Sequence, residues 1–172
     1  MKKQAGSIIC EGGDQQGKSF TANLLHDILG YPVYHFNPPT KNTDFRLEYI
    51  QPLMQSDEPM IFDRSYFSEM AYGAVHRGGG GITPEIKKYV ESFLNARNCI
   101  MVYFKNMAQR DYLSRDEMYD AESNIKVIAK YDELLPTIGI PVIQVDSFDP
   151  DCVDKIMAFY KKHNPEYAER QA

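Results

Sequence analysis

Apolar positions in this chain fall into short runs separated by longer amphipathic stretches. Largely apolar runs occupy 8–10, 33–36, 60–62, 99–104 and 141–145, most of them bounded by glycine, proline, asparagine or aspartate. Such runs are what strands of a parallel sheet need when both faces are covered. Between them the apolar residues recur at helical spacing. Phe20, Leu24, Leu25, Ile28 and Leu29 form one stripe, and Leu47, Ile50 and Leu53 a second within 45–54. Ile86, Tyr89, Val90 and Phe93 form a third, in a helix opened by Thr83 as cap and Pro84 at the first position. Further helices are expected over 66–75, around Ile125, Ile128 and Leu134, and over 151–162. Strands alternating with helices in this way predict a three-layer α/β domain. No repeat or linker divides the chain, so 1–172 is expected to form one domain.

The stretch 8–20 organises the rest. Its strand runs through Gly12 and Gly13 to Gly17, Lys18 and Ser19, and a helix begins there. Gly12 and Gly17-Lys18-Ser19 fit the pattern GxxxxGK[ST]. Its glycines let backbone N–H groups converge on phosphate oxygens, its lysine reaches the terminal phosphates and its serine hydroxyl faces Mg²⁺. The candidate nucleotide-binding set is therefore Gly12, Gly13, Gln15, Gln16, Gly17, Lys18, Ser19 and Phe20, with ATP and Mg²⁺ as the implied cofactors.

Composition narrows the field. A length of 172 residues is enough for a core needing neither disulfides nor a structural metal, and no apolar stretch reaches membrane-spanning length. The first residues lack a signal-peptide core and lead straight into the glycine loop, so a cytoplasmic protein is expected. Cys10, Cys99 and Cys152 are odd in number and widely spaced, which fits small core residues better than disulfides or zinc. His26, His35, His76 and His163 lack metal-ligand spacing and are expected in surface or structural roles. A net charge of −5 disfavours a broad nucleic-acid surface.

A second informative stretch is Ile61-Phe62-Asp63-Arg64-Ser65, with an acid and an arginine at the carboxyl end of a strand. That edge of a parallel sheet faces the ligand crevice. There Asp63 can orient Mg²⁺ or its waters, and Arg64 can neutralise charge on a transferring phosphoryl group. The alternative is an ion pair capping the next helix.

Three segments together resemble the thymidylate kinase family. These are EGGDQQGKS from Glu11, DRSYFSEMAYG from Asp63, and LSRDE from Leu113 followed by Tyr131. They look like its phosphate loop, its Asp-Arg motif and its lid, and the related deoxynucleoside kinases carry similar motifs. The resemblance implies a P-loop kinase fold, a five-stranded parallel sheet in the order 2-3-1-4-5 with helices on both faces, and a small lid around 107–122. It also implies that Asp14 approaches the acceptor sugar or reacting phosphate, and that Arg110 or Arg115 supplies the catalytic arginine in place of the loop position held by Gln15. Phe36, Asn37, Arg64, Tyr72 and Arg77 become the candidate acceptor-binding residues, and a homodimer is compatible with the resemblance.

Departures from the family pattern fall on the acceptor side. An arginine usual after the second strand is replaced by His35-Phe36-Asn37-Pro38-Pro39, and the usual Ala-Tyr-Gln by Ala71-Tyr72-Gly73. Three readings follow. The first is a kinase acting on a deoxynucleoside monophosphate, dTMP-like. A second is a kinase that phosphorylates the hydroxymethyl group of 5-hydroxymethyluracil in DNA, as in viral base modification; the acidic charge counts against it. A third is a nucleotide-binding switch, which would have no need of Asp63, Arg64 and lid arginines. The glycine run 78–81 follows no strand and is expected to be a mobile loop.

Overall fold

Three middle strands buried on both faces, flanked by two more exposed edge strands, make the centre of the structure. In the computed structural model, which describes residues 6–105 and 121–170, the strands are β1 (Ile8–Gly12), β2 (Val33–His35), β3 (Ile61–Asp63), β4 (Ile100–Phe104) and β5 (Val142–Val145). They pair in parallel as one five-stranded sheet in the order β2-β3-β1-β4-β5, the order that the resemblance implies. Alternation along each strand sends side chains to two cores. Ile8, Cys10, Ile61, Ile100 and Val102 pack on one side of the sheet with Ala22, Leu25, Ile156 and Tyr160. Ile9, Phe62, Met101 and Tyr103 pack on the other with Phe67, Val90, Leu94 and Tyr131. All of these are fully buried, and each large apolar side chain so placed contributes about 1.5–3 kcal/mol of transfer free energy.

The helices are α1 (Lys18–Leu29), α2 (Gln51–Gln55), α3 (Tyr66–His76), α4 (Pro84–Ala96), α5 (Ala121–Leu134), α6 (Cys152–His163) and α7 (Pro165–Arg170). Thr83 caps α4 as expected, its hydroxyl accepting from the Ile86 N–H at 3.3 Å. Ser65 caps α3 in the same way, accepting from Phe67 N–H at 3.2 Å.

Several expectations from the apolar pattern are corrected. The stretch 45–54 is not one α-helix but a π-helical turn, Arg46–Ile50, running into α2. Wider winding there buries Tyr49 and Ile50 and turns Leu47 outward, 60% exposed. Phe20, Ile28, Tyr89 and Ile125 also lie on the open sides of their helices, because each stripe is wider than the sheet surface available to it. Helix α7 has no clear apolar period and was not anticipated; Tyr167 ties it to the core beside Tyr31 and Tyr160.

Cys10, Cys99 and Cys152 are buried free thiols. Burial pushes the Cys10 thiol far up and the Cys99 thiol to about 11, in keeping with core packing. None of the helices among the described residues is long and apolar enough to cross a membrane.

Candidate active site

The glycine loop turns from β1 into α1 under tight backbone constraints. Gly12 has φ 147°, and a Cβ there would come within 2.4 Å of the Phe104 carbonyl oxygen. Gly17 caps α1 in the left-handed region, where a Cβ would meet the Ser147 side chain. Beyond the loop, Asn124 on α5 accepts from Asp14 N–H at 3.0 Å and is itself 1% exposed, so α5 fixes the loop from outside. Gln16 is buried and Gln15 is exposed with φ 56°.

Lys18 is 5% exposed, and its ammonium donates to the carbonyl oxygen of Gly13 within the same loop. Burial, reinforced by the nearby Arg64, lowers its pKa to about 7, against the pull of Asp14, Asp63 and Glu11. A buried amine held this way is poised to regain its full charge when anionic oxygens arrive.

Register brings the second half of the site together. β1, β2 and β3 are aligned so that Cys10, Asp63 and His35 sit side by side at the carboxyl edge. Ser19 Oγ donates to Asp63 Oδ2 at 2.5 Å, and His35 Nδ1 lies 3.0 Å from the same oxygen. Asp63 Oδ1 is buried and has no hydrogen-bond partner among the described residues. His35 therefore has a structural role beside Asp63, within the surface or structural duty expected of it. Only the strand alignment reveals this, since nothing near His35 in sequence marks it.

Asp63 and Arg64 are not paired with each other, so the helix-capping alternative fails. Arg64 has φ 73°, unusual for a non-glycine residue. This turn sends its guanidinium away from Asp63 to Asp14 Oδ1 and over the Tyr72 ring, 5.0 Å from the centroid. Tyr72 Oη donates to the same Asp14 oxygen at 2.8 Å. Burial alone would lower the Arg64 pKa, but Tyr72, Tyr131 and Asp14 together hold it above its ordinary value.

Behind these groups lies a buried carboxylate that the sequence reading did not single out. Glu11 is fully buried and accepts from Ser65 Oγ (2.5 Å), Ser68 N–H (3.2 Å), Ser68 Oγ (2.5 Å) and Tyr131 Oη (2.8 Å). Burial raises its pKa, and those same side-chain donors pull it back. One side chain thus ties the loop to α3 and α5. A charged residue closing an otherwise apolar run was the available signal.

A cavity of about 440 Å³ opens over these residues. Lys18, Ser19, Gln15, Gln16, Gly17 and Phe20 line one part, and Phe36, Asn37, Pro38, Pro39, Tyr49 and Tyr72 another, with Asp14 and Arg64 between. Phe36 is a wall more than a free stacking platform: it is 2% exposed and stacks on Tyr49 at 5.3 Å between centroids. Arg77 also lines the cavity, ion-paired with Glu69 of α3. In the run 78–81 the first two glycines are open and the last two are packed: a Cβ on Gly80 would meet the Glu69 carbonyl at 2.8 Å, and one on Gly81 would clash with the Phe45 ring. Arg110, Arg115 and the expected lid lie outside the described residues.

No family model matches the sequence, and no curated protein matches it. Solved structures do. The chain superposes on the YorR protein of Bacillus subtilis, solved in complex with phosphorylated GDP, with a TM-score of 0.74 and 23% identity over 91% of this chain and 96% of that one. It matches deoxyadenosine kinase from M. mycoides with bound dATP at a TM-score of 0.57 and 15% identity, covering 89% of this chain and 97% of that one. Thymidylate kinase from Ehrlichia chaffeensis gives 0.52 and 15%, covering 92% and 97%. At these identities the likeness is one of fold, and the fold is that of the P-loop kinases.

Proposed function

We propose that this protein is an ATP- and Mg²⁺-dependent kinase that transfers the γ-phosphoryl group to an acceptor of the deoxynucleotide type. One observation carries the reading: the loop lysine, Ser19 with Asp63 bonded behind it, and the Asp14–Arg64 pair meet at one cavity. A protein that only bound a nucleotide would have no use for the second half of that cavity.

Donor phosphates would lie on the loop, with Lys18 and the N-terminus of α1 supplying positive charge. Ser19 and Asp63 suit a magnesium ion: both offer hard oxygens, and Asp63 Oδ1 is a buried acceptor lacking a partner among the described residues. Magnesium in such sites takes one or two protein oxygens and completes its shell with phosphates and water. When bound there, the ion offsets charge on the phosphates. The acceptor would sit between 36–40 and Tyr72, opposite the leaving oxygen, with Arg64 between the two substrates.

For the acceptor, the resemblance to thymidylate kinases suggests a deoxynucleoside monophosphate. The second reading, a hydroxymethyl group on a base in DNA, is favoured by a specific observation: both arginines that line the cavity already have carboxylate partners. The deciding assay is phosphoryl transfer from radiolabelled ATP to deoxynucleosides, their monophosphates and duplex DNA carrying modified bases. Labelled product from at least one of these acceptors is expected. Absence of product with all three, with the protein folded, would overturn the kinase reading.

A further inference from the structure

The acceptor half of the cavity is electrically compensated. Among the described residues its lining cations are Arg64 and Arg77, and its lining carboxylates Asp14 and Glu69. Each cation is bonded to one carboxylate, Arg64 to Asp14 and Arg77 to Glu69. Lys18, the remaining lining lysine, is turned into the phosphate loop on Gly13.

Nor are these pairs loose surface contacts. Glu69 is 2% exposed, and burial raises its carboxyl pKa against the opposing pull of Arg77 and a backbone hydrogen bond from Gly81. Asp14 takes both Arg64 and the Tyr72 hydroxyl on one oxygen. A phosphate monoester binding to Arg77 would strip Glu69 of its cation and leave a buried carboxylate uncompensated, a strongly unfavourable exchange. At Arg64 it would compete with Asp14 while approaching the donor's own phosphates. By contrast, the Arg77–Glu69 pair offers donor and acceptor atoms side by side, the pattern a neutral base edge can match. Walls of Phe36, Pro38, Tyr49 and Tyr72 suit a flat ring.

Gly73 explains why this pair holds the position. A Cβ at 73 would lie 2.7 Å from Gly80 Cα and 2.8 Å from Glu69 Oε1. The missing side chain at 73 and the glycine run 78–81 are thus one feature: the loop backbone packs where a side chain would project, and Arg77 at its start is delivered to Glu69.

From this compensation we infer, building on the kinase reading above, that the acceptor presents an uncharged hydroxyl on a nucleoside or nucleobase rather than a phosphate oxygen. In the transfer, the acceptor hydroxyl oxygen bonds to the γ-phosphorus and the bond from that phosphorus to the β–γ bridging oxygen breaks. ADP departs, and the hydroxyl proton passes to the Asp14 carboxylate and then to water. The product is a phosphate monoester.

Phosphorus NMR distinguishes the outcomes directly. The full chain is incubated with ATP, Mg²⁺ and one acceptor: a deoxynucleoside monophosphate, a deoxynucleoside, 5-hydroxymethyldeoxyuridine, or single- or double-stranded DNA carrying 5-hydroxymethyluracil. A new monoester singlet beside ADP is expected, and comparison of the free and DNA-borne arms identifies the source of the hydroxyl. New coupled doublets of an acceptor diphosphate, with no monoester, would overturn the inference while leaving the kinase reading intact. No transfer in any arm would overturn both. Glu69→Gln, which releases the charge of Arg77, should tighten competitive inhibition by a deoxynucleoside monophosphate at least about tenfold, in line with the strength of hydrogen bonds to a charged group. An unchanged inhibition constant in a folded variant also counts against the inference. Should the variant not fold, the product spectrum of the unaltered protein decides alone.

Discussion

The Lys18 ammonium donates a hydrogen bond to the carbonyl oxygen of Gly13, closing the phosphate loop on itself. The loop thereby holds its cation inside protein, where burial lowers the pKa to about 7. Phosphate oxygens would replace that carbonyl and restore the charge. Replacing Lys18 with alanine should reduce phosphoryl transfer by about 10²–10³ or more, the scale for losing one preorganised charge-stabilising group. Turnover measured beside a thermal melt checks this; a folded variant with near-normal turnover removes Lys18 from the site.

The same lysine gives a pH signature. Its folded pKa lies below the ordinary lysine value of 10.5, so between about pH 7 and 10.5 the unfolded chain binds more protons. Stability of the ligand-free protein should therefore rise with pH across that window, the burial penalty being complete below about 7. At pH 8 triphosphate binding should take up a proton, and at pH 6 take up much less at this site. Calorimetry in buffers of differing ionisation enthalpy reads the uptake, and Lys18→Ala should abolish the difference between the two pH values.

Glu11 receives hydrogen bonds from Ser65, Ser68 and Tyr131. Glu11→Ala would leave three buried hydroxyls without their acceptor, and a destabilisation of about 2–5 kcal/mol is expected. Denaturant titration is the test. A loss below about 1 kcal/mol would mean the serines and tyrosine find other partners.

Gly73→Ala should push the run 78–81 away from α3, because its Cβ would approach backbone at Gly80. Overpacking of this kind costs about 1–3 kcal/mol. The acceptor KM should rise while the KM for ATP stays put, since the loop lines only the acceptor half through Arg77. Steady-state kinetics with each substrate varied in turn will show whether the effect is confined to that half.

Arg110 and Arg115 fall outside the described residues and are assigned by resemblance alone. Alanine at one of them should lower kcat by far more than it weakens nucleotide binding, as for an arginine that acts on the transferring group. If both single variants turn over normally, the catalytic arginine lies elsewhere.

The sequence by itself determined the sheet and the loop. Apolar runs such as 99–104 are what the central strands of a covered parallel sheet need, and the spacing of Gly12, Gly17, Lys18 and Ser19 has few uses other than holding phosphate. Both are local signals, readable along the chain. Tertiary structure decided the rest, because it depends on which residues share an edge. His35 meets Asp63 only through the β2–β3 register, and Glu11 meets Tyr131 across a separation of 120 residues. The positive φ of Arg64 sends its guanidinium to Asp14 rather than to its neighbour Asp63. Arg77, a candidate acceptor-binding residue in the sequence, is in the fold half of an ion pair with the buried Glu69. Charge along a sequence can be counted, but whether a charge is compensated depends on distances that only the fold sets.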